Sequence, residues 1–321
     1  MDIDTQPTTA DAPFNDPADN VDLVIRTADN VDFFVLGALL SLQSPSSFFG
    51  HALKDSQHTE ERDGRPVLDV KEDSQTFRDI LRFCYPYVAP KIESAKQIQE
   101  MGMALDKYCM DHAMERFVQA VRASPVIIEE PLRVFAVAVA NGWKEIGEAA
   151  ARNTLAMPLN QAILDVEELN IITARHLYRL QNYHAQCGKA AQIPAGTGGS
   201  FPWLSGKTSG LTFLQRDTTV CQHCKKGLVS VAEVGGTWHY GHPWFNTYFS
   251  LVNSRLSLEP RPQIALDNGI IGHAIYSSTV QCCVGPWITS ACSLPHSLGE
   301  IVAEEIDRRI SEVPLDIEWK K

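Results

Sequence analysis

The stretch TVCQHCKKG, residues 219–227, places Cys221 and Cys224 three positions apart with His223 between them. A C-x2-C turn aims two thiolates at one point, and a tetrahedral zinc site needs two more nitrogen or sulfur ligands within reach. Downstream donors are His239, His242, Cys282, Cys283 and Cys292. Strong zinc signatures repeat the C-x2-C pair or add H-x3-H, whereas here an adjacent pair is followed by one cysteine nine positions on. Neighbouring side chains of a strand point to opposite faces, which argues against Cys282 and Cys283 sharing one ion. Structural zinc, reduced cysteines filling a core, and thiol redox chemistry all stay open. The last needs a strand before C-x-x-C and a helix after it, and KKGLVSVAEVGGTWHYG reads instead as a β-hairpin.

The remaining cysteines and histidines point to packing. His184 and Cys187 have the spacing of neighbours on one helix face, but no second pair accompanies them, so they read as helix-end residues. Cys84 falls on an apolar helical stripe and Cys109 beside a helix junction; both read as small buried hydrophobes. The sequence holds no G-x-S-x-G, P-loop, H-E-x-x-H or dinucleotide fingerprint, so the expectation is a protein that is not an enzyme.

The elements that must position these residues fall into two halves. At 321 residues the chain exceeds the size at which one core stops growing. Its formal net charge of -11 argues against nucleic-acid phosphates or an anionic membrane as partner. No stretch reaches the roughly 18 apolar residues of a membrane span, and the first residues lack the pattern of a secretory signal, so the expected location is intracellular, nucleus or cytoplasm. Residues 1–19, rich in Asp, Pro and Thr, read as a disordered tail. The run GKAAQIPAGTGGS, residues 188–200, reads as a flexible linker. Beyond it lie five of the six Trp, too many to leave in water, so residues 201–321 should form a separate small Trp- and Cys-rich α+β module. That module carries ten Lys and Arg against eleven Asp and Glu, which is no nucleic-acid footprint.

Along the first half, VDLVIRT and VDFFV alternate about Ala28-Asp29-Asn30, as a hairpin does. Two short helical stretches follow, GALLSLQS and PSSFFGHAL, then the polar loop KDSQHTEERDGR and a strand, PVLDV. Asp73 suits an N-cap for a helix bearing Phe77, Ile80, Leu81 and Cys84, which Pro86 stops. Ile98, Met101, Leu105 and Tyr108 stripe the next helix, and Asp111 suits a cap for one faced by Met114, Phe117, Val118 and Val121. Pro131 opens a further helix, which Asn141-Gly142 breaks before another. In the second half Pro243 suits the start of a helix faced by Trp244, Tyr248, Leu251, Val252 and Leu256. Ser297 and Glu300 have capping-box spacing ahead of a stripe through Leu298, Val302, Ile306 and Ile310.

This order, with VDLVIRTADNVDFFV, SLQSPSSFFGHAL, PVLDVKEDSQTFRDILRFCYPY and ALDKYCMDHAMERF, resembles the BTB (POZ) fold, and FCYP in particular resembles the BTB proteins abundant in mushroom-forming fungi. The resemblance covers residues 20–122; residues 126–187 resemble the helical extension that follows many such domains. It implies an α+β fold without a catalytic site: a non-enzymatic module that self-associates, with a homodimer as default, and recruits protein partners. A cullin-type ubiquitin-ligase scaffold or a transcriptional corepressor is the implied partner class, and a zinc-containing transcriptional regulator is the alternative. The implied interaction residues are Asp22, Val24, Phe33, Phe34, Phe48 and Phe49. Many family members follow the second strand with a His-Lys pair beside the Asp that Asp22 matches; here Leu36 and Gly37 stand there, leaving Asp22 to water or to Arg26. In similar fungal proteins a later C-x2-C completes the first, which implies Cys221, Cys224 and Cys282 as metal ligands, with Gly285 where the last cysteine would stand.

Overall fold

The computed structural model describes residues 6–17, 21–43, 48–52, 60–159, 165–193, 201–204, 229–234, 237–241, 244–279 and 294–319. The chain is α+β and divides into two compact units: Met1–Asn153 with Val166–Thr173 and Glu318–Lys321, and Thr154–Asp165 with Ala174–Ile317.

The first unit is built on a sheet of β1 (Thr8–Thr9), β2 (Leu23–Arg26), β3 (Val31–Val35), β4 (Glu61–Arg62) and β5 (Arg65–Asp69), in the order β1-β3-β2-β5-β4. The expected hairpin is β2–β3, in the register Leu23↔Val35 to Arg26↔Asp32. Its turn is closed by Asn30 N–H donating to Thr27 O at 2.9 Å, with Asn30 at φ 62°, a left-handed position that Asn tolerates. Period-two alternation sends Leu23, Ile25, Phe33 and Val35 to one face, all fully buried. Phe33 there meets Phe77 edge-on at 5.6 Å.

Residues 6–17, expected as part of a disordered tail, are built into this unit. Thr8–Thr9 pairs parallel with β3, Phe34 N–H donates to Phe14 O at 3.0 Å, and the Phe14 ring is buried against Tyr85 at 5.3 Å. The Asp and Pro that bias the composition hide one aromatic anchor, and burying a Phe is worth about 2 kcal/mol.

Helices α1 (Gly37–Ser41) and α2 (Phe48–Ala52) form a short pair. Helix α3 (Ser74–Cys84) starts at Asp73, whose Oδ1 accepts from Thr76 N at 2.7 Å, and stops at Tyr85 just before Pro86. Helix α4 (Ala95–Lys107) buries the stripe through Ile98, Met101 and Leu105, with Tyr108 beyond it. Helix α5 (Asp111–Ala123) has Met110, not Asp111, as its N-cap; Asp111 is the first helical residue, where a carboxylate still suits the dipole. Cys109, expected to be buried, is exposed: it occupies the turn between α4 and α5 at φ 52°.

Helices α6 (Val126–Glu129), α7 (Pro131–Asn141) and α8 (Lys144–Asn153) complete the first unit. Gly142 caps α7 at φ 79°, and Trp143 folds back onto α4. Its Nε1 donates to Asp106 Oδ2 at 2.7 Å, and its ring lies where a Cβ on Gly102 would stand, 2.1 Å away. Helices α7 and α8 therefore share a core with α4 and α5, and the unit runs past the boundary expected at residue 122.

The second unit holds α9 (Ala174–Ala190), the antiparallel pair β6 (Val229–Val234) and β7 (Thr237–Gly241), α10 (Trp244–Leu256), α11 (Asn268–Thr279) and α12 (Leu294–Ser311). Helix α9, expected within the BTB extension, belongs here and packs on α12. The expected linker is not one over 188–193, because α9 runs to Ala190 and Asn253 holds Ile193 by both its N–H (2.8 Å) and its carbonyl (3.0 Å). Helix α10 buries Phe245, Tyr248, Phe249, Val252 and Leu256, a face rotated toward Phe201, which stacks on Phe249 at 4.5 Å. Helix α12 buries Leu298, Val302, Ile306 and Ile310 as expected but begins at Leu294, so Ser297 lies inside it and does not cap it. Among the described residues no helix is long and apolar enough to cross a membrane.

Candidate protein-interaction site

The six interaction residues implied by the sequence lie on two elements of the first unit, the β2–β3 hairpin and α2. Four of them are spent on the fold. Phe33 faces α3; Val24 and Phe34, on the other side of the sheet, form a small cluster with Val67, flanked by Val21. Phe49 is fully buried, its ring 5.1 Å from that of Tyr108. Only Asp22 and Phe48 reach solvent, Phe48 at 42% exposure.

Asp22 finds neither water alone nor Arg26. Its Oδ1 accepts from the backbone N–H of Gly37 at 2.6 Å, at the first residue of α1, and the preceding N–H of Leu36 donates to Tyr85 Oη at 2.7 Å. Where the family resemblance places a cationic side chain opposite this carboxylate, the chain offers a helix-start amide. Peptide N–H groups at a helix start attract anions for the same electrostatic reason. Sequence spacing could not reveal this, because any residue but proline supplies that donor.

Arg26 is committed elsewhere. On the sheet face shared with Val24 and Phe34, its Nε and Nη2 grip the two oxygens of Asp32 at 2.7 and 3.1 Å, and its Nη1 donates to Glu60 at 2.6 Å. Asp32, fully buried, also pairs with Arg62, whose guanidinium lies 5.8 Å from the Phe34 ring centroid and whose Nη2 reaches Thr9 Oγ1 at 3.0 Å. The hydrogen bond to Asp32, with Glu60 adding to it, raises the Arg26 pKa against the opposing effect of burial. This network ties β1, β2, β3 and the β4–β5 hairpin together. The alternation Val24-Ile25-Arg26 facing Asp32-Phe33-Phe34 carried its signal, an opposed Arg–Asp pair.

What stays available on this edge of the unit is apolar. Leu42, which caps α1, is 70% exposed, and Phe48 opens α2. The Phe48 ring is braced from beneath by Phe49 at 5.4 Å and Tyr108 at 5.5 Å. Tyr108 is itself anchored, its Oη donating to Glu72, whose other oxygen takes Lys107 at 2.7 Å. A second exposed apolar pair, Tyr87 and Val88, follows α3, with Tyr87 stacked parallel on Tyr85 at 5.8 Å.

The second unit offers a groove of about 350 Å³ between α10 and α11, lined by Leu251, Ser254, Arg255, Asp267, Gly269, Ile270 and His273. Its charges serve the fold: Arg255 pairs with Glu259 at 3.0 Å, and Asp267 Oδ1 accepts from Ile270 N at 2.9 Å to cap α11. Cys221, Cys224 and Cys282, the implied metal ligands, lie outside the described residues, as do His223, His242, Cys283 and Cys292. Among the described residues no three His, Cys, Asp or Glu side chains gather as a metal site would require. Burial pushes the Cys84 thiol up to about 12, and its sulfur contacts Met110 Sδ at 3.6 Å, a packing role.

His184 and Cys187 share the buried face of α9. His184 Nε2 hydrogen-bonds the Met157 carbonyl at 2.8 Å while Nδ1 is buried without a partner, and burial lowers its pKa from the ordinary 6.5. The unfolded chain therefore binds this proton more readily than the folded one. Stability should be full above pH ~6.5 and fall as pH drops through and below that value. Urea midpoints measured from pH 7.5 to 5 should show the decline, and His184→Gln should flatten it; a slope unchanged by that substitution would assign the effect to other groups.

No protein-family model matches this sequence, and a search of curated proteins finds no match.

Proposed function

We propose that this chain is a non-enzymatic interaction module of the BTB type, which self-associates through the α1–α2 pair and recruits a protein partner. The observation that carries the reading is the exposure of two large apolar side chains at those helices, Leu42 at the end of α1 and Phe48 at the start of α2, the Phe48 ring braced at the margin of a packed core. Braced aromatic and aliphatic side chains of this kind are what interface centres use. The order of elements supports it as well: hairpin, helix pair, strand, helix, helix pair, each on the segment that resembles the family. The net charge of -11 favours a protein partner over nucleic acid.

Self-association should appear as a dimer by native mass spectrometry and sedimentation equilibrium. Leu42→Asp with Phe48→Asp should weaken it at least 10-fold with the far-ultraviolet circular dichroism unchanged, since each buried apolar side chain is worth about 1.5–3 kcal/mol. A wild-type chain that stays monomeric at high concentration would overturn the reading.

A further inference from the structure

Residues 33–53 contain no Asp, Glu, Lys or Arg, in a chain of which 21% is charged, and their single titratable side chain is His51. His51 lies three positions after Phe48 on α2, so the two are neighbours on one helix face, and both are exposed. The ends of α1 and α2 are tied to the turn between α4 and α5: His112 N–H donates to the Gln43 carbonyl at 3.0 Å, and Phe48 N–H to the Tyr108 carbonyl at 3.4 Å. The titratable side chains of that turn are Lys107, ion-paired with Glu72 at 2.7 Å, Cys109, Asp111 and His112. His112 has the Asp111 carboxylate next to it in the chain, whereas α1 and α2 hold no carboxylate for His51; Lys54 and Asp55 lie outside the described residues.

A two-fold contact sets a patch against its own copy, so a formal charge at its centre meets the same charge. A surface free of charged residues is what such a contact tolerates, and interface centres are depleted in them. The surface around Leu42 and Phe48 meets that condition as long as His51 is neutral. We propose that His51 is a pH switch on this self-association: with neutral imidazoles the two copies pair, and with protonated ones they part. The inference rests on the α1–α2 reading and adds its regulation. Histidine is the side chain that ordinarily changes charge between pH 5 and 8, and taking its charged form out of water at a contact is costly. The free chain therefore binds the proton more readily than the paired one, so pairing is full above the histidine range and is lost as pH falls through it. The overall charge works the other way, since acid brings -11 toward zero and eases the approach of two copies. A loss of pairing in acid therefore originates at the contact.

Sedimentation equilibrium of the full chain at pH 7.5 and 5.5, in about 0.3 M salt to screen the overall charge, should show the dimer weakened at least 10-fold in acid, with the far-ultraviolet circular dichroism unchanged. His51→Gln should remove most of that response and His112→Gln should leave it in place. His51→Lys, charged at both values, should pair at least 10-fold more weakly than the wild type at pH 7.5. A wild-type chain that is monomeric at pH 7.5 would overturn the α1–α2 reading and the switch with it. A wild-type dimer equally strong at both values, or one whose acid loss persists in His51→Gln, would overturn the switch and leave the α1–α2 reading standing. A His51→Lys chain that pairs like the wild type at pH 7.5 would do the same, independently of how acid affects the rest of the fold.

Discussion

Arg26→Ala should destabilise the first unit by about 3–5 kcal/mol, the usual cost of removing one partner from a buried ion pair. The Asp32 carboxylate is fully buried and is met by a bidentate grip from Arg26, itself 13% exposed, and a further contact from Arg62. Without Arg26 the carboxylate keeps one guanidinium that is about twice as exposed, at 27%, and loses the two bonds at 2.7 and 3.1 Å. Arg62→Ala should cost less, about 1 kcal/mol, because water can replace much of what it gives. The double change Arg26→Met with Asp32→Leu should recover most of the loss, since apolar side chains of similar volume often equal or better a buried pair. Urea denaturation of the three variants checks the ranking. Equal, small effects for Arg26→Ala and Arg62→Ala would mean that the charge on Asp32 is not what the network serves.

Trp143→Ala should cost a further large amount, about 3–5 kcal/mol. The indole is nearly buried, packs edge-on to Phe117 at 5.8 Å, fills the space left by Gly102 and satisfies Asp106. Burial, with the nearby Asp111, raises the Asp106 pKa and the Trp143 N–H works against that rise, so the substitution leaves the carboxylate without its donor. Because this one ring joins α4 and α5 to α7 and α8, the variant should lose stability across residues 21–153 together. Hydrogen exchange should show α4 and α8 opening in step, and a fragment ending at residue 122 should be far less stable than the whole chain. Independent opening of α8, with α4 fully protected, would contradict the shared core.

The parts of the fold that were legible in the sequence are those written in local periodicity. Val21 to Val35 alternates, Asp73 sits one residue before a helical stripe, and Asn141-Gly142 stops one; each signal involves residues a few positions apart. The parts that were not legible depend on partners far along the chain. Residues 188–193 looked like a linker because composition cannot see Asn253, sixty positions on, which binds both polar groups of Ile193. The tail at 6–17 looked disordered because one Phe among Asp and Pro gives no period, yet Phe14 has a place among Tyr85, Tyr87 and Phe33. For the candidate site the difficulty is sharper. Phe33, Phe34, Phe48 and Phe49 are identical in type and adjacent in pairs, and only the three-dimensional register decides that three face inward and one outward. Asp22 was read as a surface charge in search of a cation, and its partner is a backbone amide that no side-chain pattern encodes.

The two-residue strand Thr8–Thr9 has one more implication. In the order β1-β3-β2-β5-β4 it lies on the outer side of β3, a strand of Val, Asp, Phe, Phe and Val, and Ala10 and Phe14 continue the pairing there through Asp32 and Phe34. Stripped of residues 6–17, that side would present open N–H and C=O groups beside aromatic residues, the template on which strands of other molecules add without limit. A segment that looks expendable by composition thus keeps the hairpin from seeding fibrous assembly, and its short length leaves little free edge of its own to offer.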